Sequence, residues 1–247
     1  MQALITGASS GIVRDMARYL SKLGYDLIVV ARRQELLENL KSELSTNVEI
    51  ECLDVSIKEN CIKLFEKYKN IDLLINNAGF GDCGEFDKTD LEKELSMIDT
   101  NIKSMHILTK LYVQEMKKNN KGQILNVASI AGFMYGPLMA TYYATKNYVV
   151  ALSRAVNKEL KKSKSNVRVS VLCPGPVNTE FDKVANVKFS LKGLSSEYVA
   201  KYAIQKTLKG KEVIIPGWTM KLIYCANKLS PTKISLEIAY YSQKRKR

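Results

Sequence analysis

Ala3-Leu4-Ile5-Thr6-Gly7-Ala8-Ser9-Ser10-Gly11-Ile12 opens the chain and decides how the rest is read. An apolar strand pattern starts almost at Met1 and runs into a turn with two glycines. The amphipathic stretch Ile12–Leu23 follows at once, with Met16, Leu20 and Leu23 on one face. Glycines let the backbone turn tightly and come close to a ligand. The helix start offers free N–H groups and the positive end of its dipole. Strand, turn and helix together make a cradle for an anion such as a pyrophosphate. A glycine turn alone is weak evidence, and it gains weight from standing at the head of a repeating strand–helix pattern.

The repeat continues to the far end of the chain. Apolar strand runs recur at Leu27–Ala31, Val48–Leu53, Leu73–Ile75, Gln123–Val127, Val167–Cys173 and Glu212–Ile215. Helical periodicity fills the gaps at Glu35–Leu44, Lys58–Tyr68, Leu91–Lys118, Thr141–Lys162 and Ser196–Leu208. Asp54-Val55-Ser56 and Ser195-Ser196 read as helix caps. Short strands alternating with helices predict a doubly wound α/β fold, with about seven parallel strands and helices on both faces. Such sheets bind ligands beyond the carboxyl ends of their strands, so the chemistry is expected in the loops after each strand.

The 247 residues suit a single domain able to bury a large core. No apolar run approaches the roughly 20 residues that span a bilayer. The early first strand leaves no room for a signal peptide, so a cytoplasmic protein is expected. No pair among Cys52, Cys61, Cys83, Cys173 and Cys225 has C-x-x-C spacing, and His106 is the lone histidine. Free structural thiols and no metal site are expected. Cys52 and Cys173 end strand patterns, where cysteine acts as a small hydrophobe. The net charge of +13 is concentrated late: Lys183 to Arg247 holds 14 basic and 3 acidic side chains. A solvated basic face is the favoured reading, with nucleic acid not expected as a partner.

Tyr142-Tyr143-Ala144-Thr145-Lys146 opens the long helix after the fifth strand. Tyr142 and Lys146 share a helix face. A phenol with a pKa of about 10 is a poor acid or base at neutral pH, and a neighbouring ammonium lowers that pKa. Tyr142 could then donate its proton to a carbonyl oxygen. Ser129, thirteen residues upstream at a strand end, could hydrogen-bond the same oxygen.

Thr6-Gly7-Ala8-Ser9-Ser10-Gly11-Ile12, Ser129 and the Tyr142-x-x-x-Lys146 pair resemble the motifs of the short-chain dehydrogenase/reductase family. The resemblance covers about residues 1 to 215 and implies a Rossmann-type fold. It implies catalytic roles for Asn101, Ser129, Tyr142 and Lys146, with Asn101 holding a water relay to the lysine. It implies cofactor contacts at Gly7, Ser9, Ser10, Gly11, Ile12, Asp54 and Val55. Further contacts follow at Asn77, Ala78, Gly79, Tyr142, Lys146, Pro174, Gly175, Val177 and Thr179. The family usually has a third glycine where this chain has Val13, a departure expected to shift the helix start and weaken the cofactor.

An NAD site of this kind places a carboxylate after the second strand, roughly 20 residues past the turn. Here Arg32 and Arg33 stand there, and guanidinium suits a 2′-phosphate, so NADP(H) is expected. The resemblance makes residues of about 180–195 a substrate lid, with Phe181, Val184, Phe189 and Leu191. Ile130, Phe133, Met134 and Met139 add apolar walls. A small hydrophobic ketone, aldehyde, steroid or 3-oxoacyl substrate is expected, while Lys183, Lys188 and Lys192 read first as solvated side chains and second as contacts for an anionic acyl carrier. The helical extension of about 218–247 is expected to close the pocket or pack in a subunit interface, ahead of lying on a membrane, because its apolar positions are few and spread. The family implies a homo-oligomer built through Leu91–Lys118 and Thr141–Lys162. The alternatives to an active reductase are a nucleotide-binding scaffold that has lost turnover, which rests on Val13, and a protein that binds membrane or nucleic acid through its basic last third.

Overall fold

Strand β1 (Gln2–Thr6) lies near the middle of a seven-stranded sheet in the computed structural model, which describes residues 1–180 and 193–244. The other strands are β2 (Asp26–Ala31), β3 (Val48–Cys52), β4 (Leu73–Asn76), β5 (Gln123–Val127), β6 (Arg168–Leu172) and β7 (Val213–Ile214). Their order is β3-β2-β1-β4-β5-β6-β7, and every pairing is parallel. The strand order reverses between β1 and β4, which opens a crevice above the carboxyl ends of those strands.

Near-continuous aliphatic runs form these strands because both faces are covered. Leu27, Ile28, Val29 and Val30 are all buried. One face carries α1 (Gly11–Lys22), α2 (Gln34–Ser42) and α7 (Ser196–Leu208), which pack Met16, Leu20, Leu37 and Ile204 against Ile5 and Val29. The other carries α3 (Lys58–Lys67), α5 (Ser104–Lys118) and the end of α6 (Ala140–Lys162). These pack Leu64, Tyr112 and Leu160 against Leu4 and Ile28. Two further helices, α8 (Trp218–Leu229) and α9 (Thr232–Lys244), follow the last strand.

Three expectations need correction. The stretch Leu91–Lys118 is not one regular helix: α4 (Leu91–Ile98) meets α5 through a π turn at Asp99–Lys103, closed by Ser104 N–H donating to Asp99 O. Such turns often mark functional sites. Asp54-Val55-Ser56 does not cap α3, whose N-cap is Ile57; Asp54 Oδ1 instead accepts from Ser56 N–H at 2.9 Å in a turn before the helix. Ser195 does cap α7, accepting from Tyr198 N–H at 3.3 Å. Cys52 is exposed, its thiol donating to Arg32 O, because β3 is an edge strand. Cys173 is buried.

Candidate active site

The turn after β1 is held open by backbone geometry. Gly7 and Gly11 have φ of 72° and 67°, the left-handed region that glycine tolerates. A Cβ on Gly7 would stand 3.0 Å from the backbone of Ala78, so this glycine is required by close approach as well. Thr6 Oγ1 accepts from Asn77 N–H at 3.1 Å and pins the loop after β4 beside the turn. Ser10 precedes α1 in extended conformation and makes no side-chain cap, which leaves the first amides of the helix for a ligand.

Val13 is 1 % exposed and packs in the core with Met16 and Ala17. Its isopropyl group therefore points at the sheet, and α1 starts regularly at Gly11. Arg33 reaches back over the turn, its Nη2 donating to Ser9 Oγ at 3.1 Å and Ser10 Oγ at 3.3 Å. Arg32 is mostly solvent-facing, with Nη1 3.7 Å from Asp54 Oδ2. Burial pushes the Asp54 carboxyl up, but the Ser56 hydrogen bonds and the Arg32 charge outweigh it and hold the pKa below the ordinary value. No carboxylate follows directly on β2.

Across the crevice, β5 delivers Ser129 and α6 delivers Tyr142 and Lys146. Ser129 starts a 3₁₀ turn (Ile130–Phe133), its Oγ accepting from Ala131 N–H at 3.2 Å. Its hydroxyl is also hydrogen-bonded to that of Tyr142. Asn147 fastens the 3₁₀ turn to α6, donating to Ala131 O, Met134 O and Tyr143 O. Gly132 has no room for a side chain: a Cβ would lie 2.6 Å from Lys146 O. Lys146 is buried, donates to Val127 O at 3.1 Å and sits 5.8 Å from the Tyr142 ring centroid. Burial lowers its pKa to about 8.

Burial raises the Tyr142 pKa, and the Ser129 hydrogen bond pulls it partly back. The sequence predicts a lowered value. The difference arises because burial strips water from the phenol, and that cost outweighs the stabilising contacts around it.

A cleft of about 730 Å³ joins these parts. It brings together every expected site residue except Asn101. The two-glycine turn, Ser9, Ser10 and Ile12 lie at one end with Arg32, Arg33, Asp54 and Val55. Asn77, Ala78 and Gly79 line its floor, and Pro174, Gly175, Val177 and Thr179 its far side. Asn101 stands one layer behind, in the π turn and 2 % exposed. Its Nδ2 donates to Phe80 O at 2.9 Å and Thr145 Oγ1 at 3.0 Å, and its Oδ1 accepts from Phe80 N–H at 3.0 Å. None of these side-chain bonds reaches Lys146; they staple the β4 loop to α6.

The substrate side holds one residue that the sequence did not single out, Gln243. Ile130, Met134 and Met139 line the cleft as expected, but Phe133 turns away to pack on Tyr224, with ring centroids 4.5 Å apart. Tyr143, Met220, Ile223, Ile238 and Gln243 complete the wall. Gln243 is 2 % exposed; its Nε2 donates to the Tyr143 hydroxyl, and its Oε1 has no hydrogen-bond partner among the described residues. Burial pushes the Tyr143 phenol up to about 12. The expected lid residues Phe181, Val184, Phe189 and Leu191, with Lys183, Lys188 and Lys192, lie outside the described residues. Among the described residues, no helix is long and apolar enough to cross a membrane.

A family model described as short chain dehydrogenase matches residues 1–188. The 3-oxoacyl-(acyl-carrier-protein) reductase of Rickettsia prowazekii is 32% identical over 187 residues, 75% of this chain and 76% of that protein. An uncharacterized oxidoreductase of Staphylococcus saprophyticus is 36% identical over 182 residues, 72% of this chain and 74% of the relative. Among solved structures, a short-chain dehydrogenase from Sphingobium yanoikuyae in complex with NADPH superposes with a TM-score of 0.82 at 27% identity, covering 92% of each chain.

Proposed function

The chain belongs to the short-chain dehydrogenase/reductase family, and on that premise we propose that it reduces a hydrophobic ketone, aldehyde, steroid or 3-oxoacyl compound to the alcohol with NADPH, reversibly. One observation carries the reading: Ser129, Tyr142 and Lys146 converge on the same cleft as the glycine turn, with the Ser129 and Tyr142 hydroxyls in hydrogen-bond contact.

The cradle fits a dinucleotide. Glycine backbone and open α1 amides suit a pyrophosphate. Arg32 and Arg33, at the β2 end without a carboxylate, suit a ribose 2′-phosphate. A bound nicotinamide supplies the hydride. Tyr142, kept protonated at neutral pH by burial, donates its proton to the carbonyl oxygen, which favours reduction. Ser129 donates a hydrogen bond to that same oxygen and orients it. Protonated Lys146 then steadies the phenolate left behind, and Asn101 is a positioning residue that holds the β4 loop against α6. The apolar wall of Met134, Met139, Met220 and Ile223 takes the body of the substrate. The named activity of the Rickettsia relative supports 3-oxoacyl thioesters as a first class to test.

The test is turnover of ketones, steroids and 3-oxoacyl thioesters with NADPH, in the wild type and Tyr142→Phe. Reduction by the wild type alone supports the reading. Failure with the whole panel, or equal rates in both proteins, removes it.

A further inference from the structure

Helices α8 and α9 each have two faces. On α8, Met220, Ile223 and Tyr224 turn inward and pack with Val171 and Ile215 at the sheet edge. Opposite them, Trp218, Leu222, Cys225 and Leu229 recur at spacings of four, three and four, which aligns them in one stripe. Trp218 is 72% exposed and Leu229 86%. On α9, Ala239 and Gln243 are buried while Ile234, Ile238 and Tyr241 form the outer stripe. The expectation of apolar positions too few and too spread arose because the sequence mixes the two faces.

The charge around these stripes has one sign. Lys221 and Lys228 flank the α8 stripe, Lys233 and Lys244 belong to α9, and Glu237 is the one acid among the described residues of the two helices. The sequence continues as Arg245-Lys246-Arg247.

We infer that α8 and α9 form a docking face for an anionic lipid surface. The apolar stripes would lie at the boundary of headgroups and acyl chains, with the lysines on headgroup phosphates. A second copy fits less well: a two-fold contact would bring these lysines against their own equivalents, with only Glu237 to offset them. Nucleic acid would satisfy the lysines and leave the apolar stripes in water. Ile238 belongs both to the α9 stripe and to the cleft wall, so the mouth of the cleft lies beside the docking face. The docking itself rests on the two helices and not on the proposed reaction.

Trp218 is the only tryptophan, so its emission reports the face directly. The full chain is mixed with vesicles of phosphatidylcholine plus phosphatidylglycerol, and with phosphatidylcholine alone. Expected are a blue shift of Trp218 emission and co-flotation with the anionic vesicles. Leu222→Asp/Leu229→Asp and Lys221→Glu/Lys228→Glu should each weaken that binding at least tenfold, as should moderate salt, while both variants keep the wild-type melting temperature. The proposal is overturned by unchanged emission and no flotation. It is equally overturned by a Trp218 emission already blue-shifted without vesicles and lost on dilution, which marks a second copy, or by retention on heparin with no vesicle binding.

Discussion

The two walls of the cleft are built on different principles. The wall that begins at Gly7 and ends at Lys146 is made of strand ends and the loops that leave them, and its key contacts are to backbone: Ala78 beside Gly7, Val127 O under Lys146, Phe80 held by Asn101. The opposite wall comes from α8 and α9, which lie beyond the sheet and contribute side chains such as Met220, Ile223, Ile238 and Gln243. Parallel strands fix the first wall to within a residue, because register and loop positions follow from the pleat. The second depends on where two short helices settle, which no local rule dictates. The first wall should therefore govern chemistry and cofactor, and the second should govern which substrate enters.

The sharpest way to break that division is Tyr142→Phe. Removal of the acid should lower kcat about 10²- to 10⁴-fold and change cofactor affinity far less, read by steady-state kinetics beside a cofactor titration. An equal fall in both would mean that Tyr142 mainly shapes the cleft.

Lys146→Met probes the same wall through stability. Burial depresses the lysine from 10.5 to about 8. Between those values the unfolded chain binds one proton more than the folded chain, so wild-type stability rises with pH across that window. Below about pH 8 both states are protonated and the cost of burying the charge is fully present. Lys146→Met should then be more stable than wild type near neutral pH by on the order of a few kcal/mol, with the gain shrinking as the pH rises past 8. Thermal melts over that range check it. Wild-type reductase activity should fall as the pH passes about 8 and Lys146 loses its proton.

Gln243→Leu addresses the second wall. The buried Oε1, without a partner among the described residues, can accept a hydrogen bond from a substrate hydroxyl or amide N–H. For substrates that carry such a group, kcat/KM should fall roughly tenfold, mostly in KM. For plain hydrocarbon ketones it should hold steady or rise. Equal losses in both classes would assign Gln243 to packing alone.

The smallest expected effect on function comes from Val13→Gly. The valine fills the core beside Met16 and Ala17, so its removal should cost about 2–4 kcal/mol of stability, seen in chemical denaturation. NADPH affinity should change less than about twofold, well under the tenfold that about 1.4 kcal/mol would bring. A marked gain in affinity would reinstate Val13 as a defect in the cofactor turn.

Much of the first wall was legible. The sheet, its strand ends and the cluster of Ser129, Tyr142 and Lys146 follow from aliphatic runs and from residues placed just after them. Less was legible wherever a side chain chose between neighbours in space. Asn101 is spent on Phe80 and Thr145, Lys146 on Val127 O, and Phe133 on Tyr224. The π turn at Asp99–Lys103 leaves the helical periodicity around it intact and so gives no sequence signal. Gln243 was invisible for a plainer reason: a glutamine near a basic terminus reads as solvated, and only the fold of α9 turns it inward.

The most direct test of the central claim, that the sheet-side wall holds a nicotinamide dinucleotide by its 2′-phosphate, is a fluorescence titration of the purified chain with NADPH and NADH, beside Arg32→Asp. NADPH should bind at least about tenfold tighter than NADH, a difference of about 1.4 kcal/mol, and Arg32→Asp should remove or reverse the preference. Equal affinity for the two cofactors in the wild type, or a preference that Arg32→Asp leaves intact, would contradict it.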